Sequence, residues 1–103
     1  MNVDILPHPL EFQWDKGNDR KNLIKHGIPN EQCEDVFEVN QFLLLEDHPH
    51  STIEGRYLVI GPDKHKKILV LAITLRGPSV RIISARLASK KERIFYEKTF
   101  KTA

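Results

Sequence analysis

The chain has 103 residues, of which 40% are hydrophobic and 29% charged, and it carries one cysteine. That length and balance fit one soluble domain with one core and exclude two. The longest apolar run, Ile68 to Ile73, falls far short of the roughly 20 residues that span a bilayer, and Cys33 alone forms no intramolecular disulfide and no zinc site. The stretch MNVDILPHPLEFQWD has an acid and prolines where a secretory signal has basic residues and then an apolar run, so the expected location is the cytoplasm. Residues 1–9 read as an N-terminal tail and residues 10–103 as the domain. Leu10 to Trp14 alternates apolar and polar residues, which predicts a first strand. Asp15 reads as the cap of a helix over 16–26, and Gly27 stands where a left-handed C-terminal residue belongs. Pro29-Asn30 opens a second, short helix, with Cys33, Val36 and Phe37 on one face and acids on the other.

Beyond Asn40 the pattern turns to strands at Phe42–Leu45, Tyr57–Ile60, Ile68–Leu75 and Val80–Ser84. The connections at Gly61-Pro62-Asp63 and Gly77-Pro78 are too short for parallel crossovers, so the last three strands form an antiparallel meander. Ser89 and Glu92 have the spacing of a capping box and open a C-terminal helix through about Phe100. The expected fold is a single α+β domain of order β-α-α-β-β-β-β-α, with two helices packed on an antiparallel sheet and a third at the C-terminus. Trp14, Leu23, Val36, Phe37, Val59, Leu69, Leu71, Ile73 and Ile82 are the expected core.

The net charge of +2 conceals a polarised chain. Residues 1–63 hold five basic residues against twelve acids, a balance of −7, and residues 64–103 hold eleven against two, a balance of +9. Such asymmetry points to a polyanionic or acidic partner, although lysines of a C-terminal helix also serve as an ordinary solvated face. Arginines in strands are less easily explained that way. Arg76, Arg81 and Arg86 come from two neighbouring strands joined by the Gly77-Pro78 turn and can converge on one face or rim. Each needs an internal carboxylate or an external phosphate to offset its desolvation. Lys25 and His26 end the first helix, where the helix dipole favours cations, or they deliver a cation and an imidazole to the same site. Glu54 and Arg56 are two apart and project to one side if extended, as a salt bridge or as a base with a charged neighbour. Asp47, His48 and His50 invite a metal reading, yet no second cluster stands at a recognised spacing. Cys33 reads as a small buried hydrophobe. No Walker motif and no G-x-S-x-G elbow is present.

The segments FQWDKGNDRKNLIKHGI at 12–28, EGRYLVIG at 54–61, LRG at 75–77 and VRIISARLASKKERIFYE at 80–97 resemble the BrnT toxin family, from about Leu10 to Lys98. The resemblance implies a fold similar to the RelE-like ribonucleases and the role of toxin in a type II toxin–antitoxin pair. It implies metal-independent RNA cleavage without a cofactor, inhibition of translation, and neutralisation by a small DNA-binding, BrnA-like antitoxin in a hetero-oligomer. No membrane partner is implied. The positions matching the family's pattern are Lys25, His26, Glu54, Arg56, Arg76, Arg81 and Arg86. Two other classes fit the same charge pattern: a non-catalytic nucleic-acid-binding module, and a scaffold whose basic half docks an acidic protein.

Overall fold

Strand β1 (Glu11–Gln13) arises from the alternation around Phe12, and the computed structural model carries the chain from there through α1 (Lys21–His26), α2 (Asn30–Val39) and β2 (Leu43–Glu46). Strands β3 (Arg56–Pro62), β4 (Ile68–Arg76) and β5 (Ser79–Leu87) and helix α3 (Lys90–Thr102) follow. The structure describes residues 6–7, 10–47 and 55–102. The element order is the one expected. Among the described residues no helix is long and apolar enough to cross a membrane.

The five strands form one sheet in the order β1-β5-β4-β3-β2. β2 through β5 are antiparallel neighbours, as the short connections require. β1 departs from the antiparallel expectation: it lies parallel to β5, with Phe12 opposite Val80 and Gln13 opposite Arg81. A parallel partner needs a long crossover, and here the whole chain between β1 and β5 supplies it.

One sheet face carries the main core. Val59, Leu69, Leu71, Ile73, Val80 and Ile82 pack there against Ile28 and against Cys33, Val36 and Phe37 of α2. Phe37 contacts both Phe12 and Phe42, with ring centroids 5.3 Å apart in each pair. Burial pushes the Cys33 thiol up to about 12, which removes it as a nucleophile at neutral pH. Leu6, from the N-terminal stretch, joins this core. Trp14 is partly buried and donates its indole N–H to Glu34 at 2.7 Å. Leu23 departs from the core expectation, at 37% exposure on α1.

Among the described residues, the opposite sheet face is covered by α3 at one end. Cross-strand partners project from the same face, so Leu43, Ile60 and Val70 form a row that meets Ala88 and Tyr96. The Tyr96 hydroxyl donates to the Gln41 carbonyl and ties the helix to the start of β2. Its N-terminus is closed by the expected capping box: the Ser89 amide donates to Glu92 at 2.8 Å and the Glu92 amide to the Ser89 hydroxyl at 3.2 Å. Gly61 is required where β3 passes the chain entering β2, since a Cβ there would lie 2.6 Å from the Cβ of Phe42 and 2.8 Å from its Cα.

Candidate active site

The first helix is shorter than its sequence suggests, and the reason sits beside the candidate site. Residues 16–20 form turns, Arg20 is left-handed at φ 58°, and α1 begins at Lys21 without a side-chain cap. Asp15 is no helix cap; its carboxylate accepts the Gly17 amide at 2.9 Å in a local turn. The turn delivers Asn18, 1% exposed, into the sheet edge. Its amide donates to the carbonyls of Gln13 and Ile82, both at 2.9 Å, and its oxygen accepts the Asp15 amide at 2.8 Å. One helical turn further on, Asn22 accepts the Ala85 amide at 2.9 Å. Beyond Gln13, then, two asparagine side chains take the place of a continuing β1 along β5.

This arrangement was not anticipated from the sequence. The available signal was the i, i+4 spacing of Asn18 and Asn22 in a segment whose only large apolar residues, Leu23 and Ile24, do not fall at core spacing. Both are exposed, Ile24 at 85%. At the helix end, Gly27 adopts the left-handed conformation expected of it, at φ 70°. Asn30 starts α2 but gives no cap; its side chain accepts the Arg20 amide at 3.3 Å and donates to Asp19 at 2.7 Å.

The four strand arginines share one sheet face, and a bulge is the reason. Residues five apart in an unbroken strand, such as Arg81 and Arg86, point to opposite sides. In β5 one extra residue, Ile83, is inserted: Ala72 pairs with Ser84, and the next residue, Ile73, pairs with Ile82. Arg86 therefore continues the row Leu43, Ile60, Val70, while Arg81 continues the row Arg56, Thr74. Between them runs the row Leu45, Leu58, Ala72, Ser84. Arg76 lies two residues beyond Thr74 on the same face, opposite Ser79. β5 thus runs to Leu87, and Arg86 stands inside the strand instead of at its exit.

Among the described residues, α3 closes one end of this face and a floor of Leu58, Ala72 and Ser84 lies beside it; Arg56 and Arg81 stand about 13 Å from the α3 row along β4, and Arg76 about 20 Å. Thr74, 1% exposed, sits between Arg56 and Arg81 and donates its hydroxyl to the Gly55 carbonyl at 2.8 Å.

Arg81 and Arg86 are fixed by intrachain carboxylates. Arg81 pairs with Asp15, and a second, longer contact of 3.3 Å reaches the Asn18 oxygen. The guanidinium, followed by the Gly17 amide and Gln13, holds the Asp15 carboxyl at about 2. Gly17 keeps the approach open, since a Cβ there would lie 2.7 Å from Arg81 Nη2. Arg86 makes a bidentate pair with Glu92, at 2.7 and 2.8 Å. That pair, with the Ser89 amide, holds Glu92 at about 2 and binds the N-terminus of α3 to β5. Asp15 and Glu92 thus give both arginines an oriented, charged geometry at any working pH.

The remaining candidates stand elsewhere. Lys25 and His26 are exposed in the last turn of α1. The anchors at Asn18 and Asn22 advance along β5 from Ile82 to Ala85, which carries α1 along the flank of β5 towards its Arg86 end. Glu54 lies outside the described residues, as do His48 and His50 of the metal reading; the Asp47 amide donates to the Arg56 carbonyl at 2.9 Å.

A single α+β domain that lays four strand arginines on one sheet face has the build of a protein that handles a polyanion. The family model for BrnT, the ribonuclease toxin of type II toxin–antitoxin systems, matches residues 14–92. The chain belongs to that family. Its members are ribonuclease toxins, which act on RNA and are paired with an antitoxin. No curated protein matches the chain.

Proposed function

We propose that this chain cleaves RNA on the arginine-bearing sheet face without a metal ion, blocks translation by doing so, and is silenced when a small DNA-binding antitoxin of the BrnA type covers that face. Residues 10–103 act as the toxin domain in the cytoplasm, and residues 1–9 are an N-terminal extension. The observation that carries this reading is that Arg56, Arg76, Arg81 and Arg86 share one sheet face, Arg86 by way of the β5 bulge.

The chemistry follows from what those groups supply. RNA carries its own nucleophile, the 2′-hydroxyl. Cleavage needs a base to take its proton, cations to hold the phosphorane-like charge, and an acid to protonate the 5′-oxygen that leaves. Arginine suits the middle role, because its planar fork engages two phosphate oxygens and stays charged. Glu54, two residues before Arg56 in sequence, or His26 takes the 2′-proton, and Lys25 or His26 returns one to the leaving oxygen.

The test is incubation of purified protein with RNA in EDTA. RNA should be cut and should carry 2′,3′-cyclic phosphate ends, and DNA of the same sequence, lacking the nucleophile, should remain whole. The internal pairing of Arg81 and Arg86 also suits a module that holds nucleic acid without cutting it. Salt-dependent binding with no cleavage would establish that second reading.

A further inference from the structure

We propose that the flank of α3 facing the arginines, with Phe95 beside Lys91 and Lys98, is a subsite on which a nucleobase of single-stranded RNA stacks. This deepens the reading above and rests on RNA being the ligand of the arginine face.

The direction of the flank comes from contacts of α3 already described. Tyr96 points into the sheet, where it meets Leu43, Ile60 and Val70. Arg93 and Glu97 line a cavity with Lys66, Lys67 and Ile68, at the β3–β4 turn. At 100° per residue, Arg93 and Glu97 lie about 60° and 100° from Tyr96 in one sense, and Phe95 lies about 100° away in the other. Along β4 the turn precedes Ile68, whereas Ala72, Thr74 and Arg76 run away from it. Phe95 therefore stands on the side of α3 that overlooks the Leu58–Ala72–Ser84 floor and, beyond it, Arg56, Arg76 and Arg81. Lys91 and Lys98 follow on the same side, about 140° and 160° from Tyr96.

An exposed phenylalanine taken singly is unremarkable on a protein surface. This one is 44% exposed and has lysines four residues before it and three after, on a helix that rims a cationic face. Glu92, in the first turn of that helix, is occupied by Arg86 and the Ser89 amide. An aromatic face set among cations beside a backbone-binding surface is the arrangement by which proteins hold single strands: bases stack on the ring while cations follow the phosphates. A duplex hides its base faces, so the subsite selects unpaired RNA.

The experiment measures binding of a 12-nucleotide single-stranded RNA, and its cleavage, by the full chain and by Phe95→Ala, Phe95→Leu and Phe95→Trp. Phe95 is half exposed, so all three should keep the wild-type melting temperature. Alanine and leucine should each weaken binding about tenfold and raise KM with kcat little changed, whereas tryptophan should restore affinity, with its fluorescence quenched by the RNA. Lys91→Ala and Lys98→Ala should each lower the salt slope of binding by about one unit. Wild-type affinity in Phe95→Leu overturns the subsite, because leucine keeps the apolar area and loses only the stacking ring. Unchanged RNA binding in Phe95→Ala with loss of antitoxin binding also overturns it and makes the flank a protein-docking surface. Failure of the wild-type chain to cut RNA that it binds counts against the cleavage reading alone, since the comparison of Phe95 variants by affinity still stands.

Discussion

Replacing Asn18 with alanine tests the claim that side chains complete the β5 edge. The variant removes four hydrogen bonds: two donated to the carbonyls of Gln13 and Ile82, and two accepted from the Asp15 amide and Arg81. The Ile82 carbonyl is buried, and stranding it costs about 1–3 kcal/mol. The bonds nearer the surface regain water and cost less, about 1 kcal/mol together. The expected loss is about 3 kcal/mol, or roughly 15 °C in melting temperature for a domain of this size. Asn18→Asp should be no better, since it turns a carboxylate towards two carbonyl oxygens. Asn22→Ala should cost less, about 1–2 kcal/mol, because only the Ala85 amide is lost from it while its own Nδ2 has no partner among the described residues. Urea denaturation of the three variants reads these values directly. A loss under 0.5 kcal/mol for Asn18→Ala, or a larger loss for Asn22→Ala, would refute the edge-completion argument.

Other outcomes follow from the same geometry. Glu92 sits at about 2 in the folded chain against an ordinary 4.5, so the Arg86 pair stabilises fully above pH 4.5 and fades as pH falls towards 2. Wild type should exceed Glu92→Gln by about 1 kcal/mol at pH 6, after discounting for solvent screening, and the difference should close near pH 2; a constant gap in denaturation midpoints would contradict this. Gly61→Ala should lower the melting temperature by several degrees, because its Cβ meets the backbone of the chain entering β2. Gly17→Ala should displace the Arg81–Asp15 pair, since its Cβ would lie 2.7 Å from Arg81 Nη2 and 3.3 Å from Asp15 Oδ1, and so reduce RNA cleavage; a variant with full cleavage would show that the exact placement of Arg81 is immaterial.

Much of the frame is legible in the sequence because it depends on neighbours in the chain. The Ser89–Glu92 box, the left-handed Gly27 and the β4–β5 turn at Gly77-Pro78 are local chemistry, and each stands where its residues predict. The apolar alternation of β4 likewise names the core side of the sheet, with Leu69, Leu71 and Ile73 all buried. What escapes is non-local. The parallel pairing of β1 depends on where the chain ends up after five further elements, not on Phe12 itself. Helix α1 is short because Asn18 is spent on β5, and Leu23 is exposed because asparagines, not leucines, anchor that helix.

The site shows the same division. Its arginines stand out as charged residues in apolar strands, and Arg81 and Arg86 have the internal carboxylates that such residues call for. Their common face does not show in the spacing of Arg81 and Arg86, since residues five apart diverge unless a bulge intervenes, and Ile83 carries no signature of one. The partner of Arg81 was also hidden, because Asp15 lies 66 residues away in sequence.

The account stands most directly on single-turnover RNA cleavage by Arg56→Ala, Arg76→Ala and Arg81→Ala, each confirmed as folded and measured in EDTA beside RNA affinity. If these arginines stabilise charge that grows in the transition state, at least one variant should lose about 10²-fold or more in rate while affinity falls far less. Arg→Lys at that position should then recover binding without recovering cleavage. Full cleavage by all three alanine variants would contradict the account and move the chemistry to Lys25, His26 and Glu54.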